Sequence, residues 1–357
     1  MVGSKKLSVV AATLLLLLGI MIASPTSPQP AVGVCYGWLG NNMPSHTEVV
    51  SLYKSLNINK MRLYSPNQQT LRALRGTNIE LLLDAPGPLQ TLAENATAAS
   101  DWVRTNVLAH WPAVRFRYIA VGNNEVIVQK GQAEYVLPAM RNIYGAIVAA
   151  GLKDHIKVST SVQYSVVGVS YPPSAGEFSL PVMKSIAEFL ASTGAPLLVN
   201  LYPYFTYASD PNVGLAYALF TASEAVMEDP NSGVKYQNLF DAMVDTVSAA
   251  LEKTGWPTAA GLEANPENAR IYNTNLMRHV GRGTPRNPGK AVETYIFSIF
   301  NENQKQPPGI ENNFGLFYPS KQPVYPITFG SSAASRWTIH IVNSSPVECY
   351  SSGVDER

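Results

Sequence analysis

The sequence predicts an α/β protein built as a (β/α)8 TIM barrel, imperfect around strand seven, near Thr254. Two observations predict the class. Short apolar runs alternate with amphipathic helical patterns, the signature of a parallel sheet covered by helices. Without an N-terminal segment ending near Ala31, about 326 of the 357 residues remain, which suits one large domain. A third observation predicts the imperfection: seven strands can be counted, where eight close a barrel.

The N-terminal segment has the composition of a secretory signal. Lys5 and Lys6 precede the uncharged apolar run Leu7 to Ile22, and small and proline residues follow (Ala23, Ser24, Pro25, Ser27). The run is shorter than the ~20 apolar residues a membrane span needs, and no charged stop follows it.

The elements then come in order. Val32 to Tyr36 is a strand and Thr47 to Leu56 a helix, with Val49, Val50, Leu52, Tyr53 and Leu56 inward. Lys60 to Tyr64 is a strand, Gln68 to Leu74 a helix, and Ile79 to Asp84 a strand. Ala98 to Trp111 lies in a helix, Phe116 to Val121 is a strand, and Glu134 to Ala150 is a helix. Ile156 to Val162 is a strand, Leu180 to Thr193 a helix, and Pro196 to Tyr202 a strand. Two helices then stand in succession, Asn238 to Lys253 and Glu267 to Val280, before a last strand from Ala291 to Phe300. Between those helices, Thr254 to Pro266 offers Gly, Pro and Ala but no apolar β run, where the repeat requires a strand. The barrel is expected to end near Gly330, with 331–357 a polar, loosely ordered tail.

Basic and acidic residues number 26 and 25, and the signal removes two lysines, so the mature chain is close to neutral. That argues against nucleic acid or an anionic membrane and suits a neutral substrate. Of the two cysteines, Cys35 lies in an apolar stretch and reads as a buried thiol, with pairing to Cys349 the alternative. No His/Cys cluster has metal-ligand spacing, so neither metal nor cofactor is expected. Asn95 and Asn343 head glycosylation sequons.

Barrel enzymes carry their reacting groups at the C-terminal ends of strands. Those ends supply Tyr36, Tyr64, Asn123, Asn124, Glu125, Tyr202, Tyr204, Phe205 and Glu302, with Lys305 and Glu311 beyond. Aromatic faces stack on sugar C–H surfaces, and amides and carboxylates bond hydroxyls, so the set suits a carbohydrate. Packing of the barrel rim explains part of the tyrosines equally well.

Several ordered motifs run along the chain: Gly33-Val-Cys-Tyr-Gly37, Met61-Arg-Leu-Tyr-Ser-Pro66, Tyr118-Ile-Ala-Val-Gly-Asn123, Tyr202-Pro-Tyr-Phe205, Gly255-Trp-Pro257, Glu293-Thr-Tyr-Ile-Phe297, Phe300-Asn-Glu-Asn-Gln-Lys305 and Phe314-Gly-Leu-Phe317. By these the sequence resembles the plant endo-β-1,3-glucanases of glycoside hydrolase family 17, from Val32 to about Phe329. The resemblance implies internal hydrolysis of β-1,3-glucan with retention of configuration. Retention uses an acid/base and a nucleophile ~5–5.5 Å apart.

The family's acid/base is the Glu of a Gly-Asn-Glu-Val motif; here Gly122-Asn-Asn-Glu-Val126 makes Glu125 the match, with one extra Asn. An added residue reverses the facing of a regular strand, unless a bulge absorbs it. The family's nucleophile lies in Ser-Glu-Ser-Gly-Trp-Pro. Here Gly-Trp-Pro follows Glu252-Lys253-Thr254, and the segment carrying the nucleophile is expected to be missing. Glu252 is a stand-in from the end of a helix, and Glu263 a weaker one. By the same resemblance Tyr36, Tyr64, Asn124, Tyr202, Phe205, Glu302, Lys305 and Glu311 line the substrate cleft.

Three functional expectations stand side by side: a secreted endo-β-1,3-glucanase, wall-bound or, with 331–357 as the removed C-terminal extension that some members of the family carry, vacuolar, serving defence or wall remodelling; a glucan-binding homologue impaired by loss of the nucleophile; and an active natural chain of which this sequence lacks a segment. Each expects a β-1,3-glucan partner and a monomer. A missing strand is expected to leave two sheet edges unpaired, or to press residues around Thr254 into service.

Overall fold

The computed structural model describes residues 32–124, 131–248, 264–306, 308–329 and the strand 339–342. Glu125, Glu252, Thr254, Glu263, Asn343 and Cys349 lie outside the described residues, as does the N-terminal segment.

The alternation predicted from the sequence is present. Strand β1 (Val32–Tyr36) leads to helix α1 (His46–Ser55), then β2 (Lys60–Leu63), α2 (Gln68–Leu74) and β3 (Glu80–Ala85). Helices α3 (Leu89–Glu94) and α4 (Ala96–Val103) precede β4 (Arg115–Asn123). Next come α5 (Ala133–Ala149), β5 (Lys157–Gln163), α6 (Val182–Thr193), β6 (Leu198–Asn200) and α7 (Pro203–Ser209). Helices α8 (Leu239–Ser248) and α9 (Pro266–His279) are followed by β7 (Val292–Ile296). Local chemistry marks the ends. Ser45 and Glu48 form a reciprocal capping box at α1, and Asn67 and Asn95 accept backbone N–H bonds at α2 and α4. Gly194, at φ 63°, takes the left-handed turn that ends α6.

One element departs from expectation. The sheet closes in the order β1-β7-β8-β6-β5-β4-β3-β2, where β8 (Ile339–Val342) comes from the C-terminal segment. It runs parallel to both neighbours, with Thr294 opposite Ile341 and Ile341 opposite Val199. The segment after Gly330 is therefore not wholly a loose tail. Four of its residues, Ile-His-Ile-Val, pair with β7 on one side and β6 on the other. An otherwise polar surround concealed the run from a composition reading.

Two cores follow from strand alternation. The larger lies between sheet and helices, holding Val34, Leu63, Leu81, Leu83, Ile119 and Val121 from the strands. The smaller fills the barrel with Cys35, Leu82, Tyr118, Ala120, Leu198, Tyr295 and Phe297. Inward positions therefore fall two apart, as Lys60-Arg62-Tyr64, Glu80-Leu82-Asp84 and Glu293-Tyr295-Phe297. At the N-terminal end this places Lys60 against Glu293 at 2.8 Å, with Arg117 bridging Glu293 at 3.2 Å and Glu80 at 3.3 Å. That end of a barrel serves stability. The opposite end carries the candidate site.

Candidate active site

At the C-terminal mouth, β2 and β3 each turn a charged side chain inward. Arg62 donates from Nε to Asp84 Oδ1 at 2.9 Å and from Nη2 to Oδ2 at 2.6 Å, and neither side chain is exposed. Burial disfavours the guanidinium charge, but the Asp84 carboxylate together with Tyr64 and Cys35 holds the Arg62 pKa above its ordinary value. The guanidinium lies 4.5 Å from the centre of the Tyr64 ring. Tyr64 in turn meets Phe297 edge-on at 6.0 Å.

On β7's side, Lys305 sits 4.3 Å from the centre of the Phe297 ring. Its ammonium stands 3.6 Å from Glu302 and 3.5 Å from Glu311. Glu302 is also fixed by the Leu39 N–H, which donates to Oε1 at 2.9 Å. Gly37 makes this possible, because a Cβ there would overlap the Glu302 carboxylate. One cation between two carboxylates, stacked on an aromatic ring, gives a charged wall whose position does not depend on solvent. Glu302 and Lys305 are nearly buried and Glu311 is partly open, so only Glu311 offers its oxygens readily to a ligand.

From β4 and β6 come the amides. Arg62 Nη2 donates to Asn123 Oδ1 at 3.3 Å, and Asn200 Nδ2 donates to the same oxygen at 3.2 Å and to Asn124 Oδ1. Beyond Asn200 the chain supplies Tyr202, Tyr204 and Phe205. Tyr202 and Phe205 are 5.1 Å apart between ring centres, and Phe205 is the most exposed of the three, at 36%. Tyr202 lies close enough to Tyr64 to influence its ionisation. The mouth therefore joins a buried charge pair, an amide cluster, an aromatic face and a second charged wall.

Tyr36 is not part of that surface. Strand alternation turns Gly33, Cys35 and Gly37 inward and Tyr36 toward the helices, where it is fully buried. Its hydroxyl is bonded to His46 Nδ1 at 2.9 Å. Burial, followed by the nearby Glu302 carboxylate, holds its phenol pKa well above the usual range. The expected sugar contact is thus a packing residue, behind Glu302 rather than beside a ligand. Asn95 is exposed, and only its Oδ1 is used in capping α4. Its Nδ2, the atom a glycan takes, makes no bond among the described residues.

Asp84 and Asn200 escaped the sequence reading, and Arg62 was noted only as part of a motif. A charge inside an otherwise apolar β run is the signal that finds them: Arg62 in Met-Arg-Leu and Asp84 after Leu-Leu-Leu. Opposite charges on neighbouring strands, both inward, must pair or be neutralised.

Residues 32–329 match the family model described as glycosyl hydrolases family 17. The chain is 50% identical to the basic isoform of glucan endo-1,3-beta-glucosidase from Phaseolus vulgaris, over 85% of this chain and 92% of that one. It is 48% identical to Lichenase-2 of Hordeum vulgare, over 84% of this chain and 98% of that one. Among solved structures, one of two plant beta-glucan endohydrolases described as having distinct substrate specificities superposes with a TM-score of 0.79 at 48% identity. It covers 83% of this chain and 100% of its own.

Proposed function

The chain belongs to glycosyl hydrolase family 17, and on that footing we propose that it is a glucan endo-1,3-β-glucosidase cleaving internal β-1,3 linkages with retention of configuration. The observation that carries this reading is the mouth of the barrel. Glu302, Lys305, Glu311, Tyr64, Tyr202 and Phe205 converge there, within the stretch that matches the family. Aromatic faces and amides suit a neutral glucan, and the fixed charged wall supplies the field that carboxylate chemistry requires.

In this mechanism Glu125 protonates the departing glycosidic oxygen and later draws the proton from water. A second carboxylate attacks the anomeric carbon from the opposite face. Glu252 is the carboxylate nearest the family's nucleophile position in sequence. The chain needs no metal or cofactor for this chemistry. Lichenase-2 is as similar to this chain as several relatives named glucan endo-1,3-beta-glucosidase, so the family alone does not set linkage preference. The β-1,3 assignment rests on the glucan endo-1,3-β-glucosidases that dominate the relatives.

The composition of residues 1–31 supports secretion to the wall, with vacuolar delivery the alternative. Asn95 and Asn343 are the proposed glycan sites, and the enzyme is proposed to work as a monomer. Defence and wall remodelling both fit a secreted glucanase.

The test is release of reducing ends from a soluble β-1,3-glucan by residues 32–357, beside Glu125→Gln and Glu252→Gln. Release that vanishes in Glu125→Gln supports the assignment, and loss in Glu252→Gln places the nucleophile. A folded chain that binds glucan but releases nothing overturns hydrolysis in favour of glucan binding alone.

A further inference from the structure

β4 ends irregularly at Gly122-Asn-Asn124, where the motif carries its extra asparagine. Ala120 pairs with Ser159 and Asn123 with Ser161, so three steps on β4 answer two on β5. One residue is bulged out. Gly122 at φ 73° and Asn124 at φ 69° carry the resulting turn. A bulge keeps the following residue on the intended face only while the bulge itself is held.

Asn200 does the holding. It is fully buried on β6, across β5 from the bulge. Its Nδ2 donates to Asn123 Oδ1 at 3.2 Å and to Asn124 Oδ1. Its own Oδ1 accepts from Ser161 Oγ at 3.4 Å, while the Asn124 N–H donates to the Ser161 carbonyl at 2.8 Å. Arg62 closes the cluster from the other side through Asn123. Both extra-residue asparagines thus end on one amide nitrogen.

We propose that Asn200 is a positioning residue: by clamping Asn123 and Asn124 it sets the course of the chain from β4 into Glu125. The role rests on the reading of Glu125 as the acid/base. A clamp failure displaces that group relative to the glycosidic oxygen, and a displacement of about 1 Å can cost on the order of 100-fold in rate. In the first half-reaction the defect is one of proton donation, so formation of the glycosyl-enzyme from a leaving group that needs no proton escapes it, while the later removal of a proton from water does not.

The experiment compares Asn200→Asp and Asn200→Ala with the unsubstituted chain, residues 32–357. Asp keeps the shape but sets an acceptor against two carbonyl oxygens. Each is assayed on a soluble β-1,3-glucan and on a 2,4-dinitrophenyl β-1,3-gluco-oligosaccharide. The expected result is a fall in kcat on glucan of about tenfold or more with KM changed by less than about threefold, and less than about threefold loss of kcat/KM on the dinitrophenyl substrate, a constant that reports only the steps through glycosyl-enzyme formation. Adding Asn124→Gly to Asn200→Ala should cost nothing further, since the two act as one unit. Equal losses of kcat/KM on both substrates, no loss on glucan, or additive losses would each overturn the proposal. If Asn200→Ala does not fold, Asn124→Gly alone carries the same kinetic comparison. Amide exchange at Asn124 gives a separate readout. Exchange accelerated about tenfold in the Asn200 variants supports the clamp, and unchanged exchange overturns it. An unsubstituted chain that cleaves neither substrate refutes the hydrolytic reading instead, and exchange then decides the clamp by itself.

Discussion

Arg62 and Asp84 meet in a two-pronged pair, 2.9 and 2.6 Å, with both side chains sealed from solvent. A buried pair of this kind stabilises little compared with an apolar replacement, but breaking it is costly, because one charge is left behind. Arg62→Met is expected to lower stability by about 3–5 kcal/mol, and Arg62→Met with Asp84→Leu to recover most of that. Urea unfolding of the single and double variants checks this. A double variant no better than the single would refute it.

Asp229 ties together the loops that follow β5 and β6. Burial pushes its pKa up, but bonds from the Ser174 N–H and hydroxyl and from the Ser232 and Asn231 N–H groups outweigh that, leaving it at about 2 against the ordinary 3.8. A folded pKa below the unfolded one means stability that is present above the unfolded value and lost as pH falls through the folded one. The melting temperature should therefore decline between about pH 4 and pH 2 partly through this group. Asp229→Asn should melt lower at neutral pH and show a shallower decline in that window. Parallel curves for the two proteins would count against it.

The strand β8 predicts a cost for shortening the chain. Ending it at Phe329 removes the partner of both β6 and β7 and leaves two parallel edges unpaired. The shortened protein is expected to melt lower by about 5 °C or more, on a scale of 2–4 °C per kcal/mol for domains of this size. Calorimetry on the two chain lengths decides it, and identical melting would show that β8 contributes nothing.

Phe205 presents the open aromatic face of the mouth. An aromatic contact of about 0.5–1.5 kcal/mol that is made alike in ground and transition states acts on binding. Phe205→Ala should raise KM for a soluble β-1,3-glucan by up to about tenfold with kcat within a factor of about two. A fall in kcat at unchanged KM would instead assign Phe205 to the chemical step.

Much of the fold was legible because barrel strands are covered on both faces. Val32–Tyr36 and Glu80–Ala85 announce themselves as apolar runs, and Gln68–Leu74 appears in the structure at the limits read from its pattern. The mouth was partly legible. Glu302, Lys305 and Glu311 follow a strand end and do form one ion cluster. Tyr36 was misread because position after a strand says nothing of which face a side chain takes. Asn200 gave no signal, since an amide in Leu-Val-Asn-Leu is chemically ordinary until its partners from β4 are known.

The sequence by itself determined the alternation of strands and helices, the barrel class and the family. These follow from hydrophobic period and local motif, which are properties of neighbouring residues. Tertiary structure alone decided three things: that Arg62 pairs with Asp84, that Asn123 and Asn124 meet Asn200 of β6, and that Ile339–Val342 closes the sheet. Each joins residues distant in sequence through the closure of the barrel. Closure brings inward side chains and open backbone edges within bonding range, and no periodicity along a single chain records that distance.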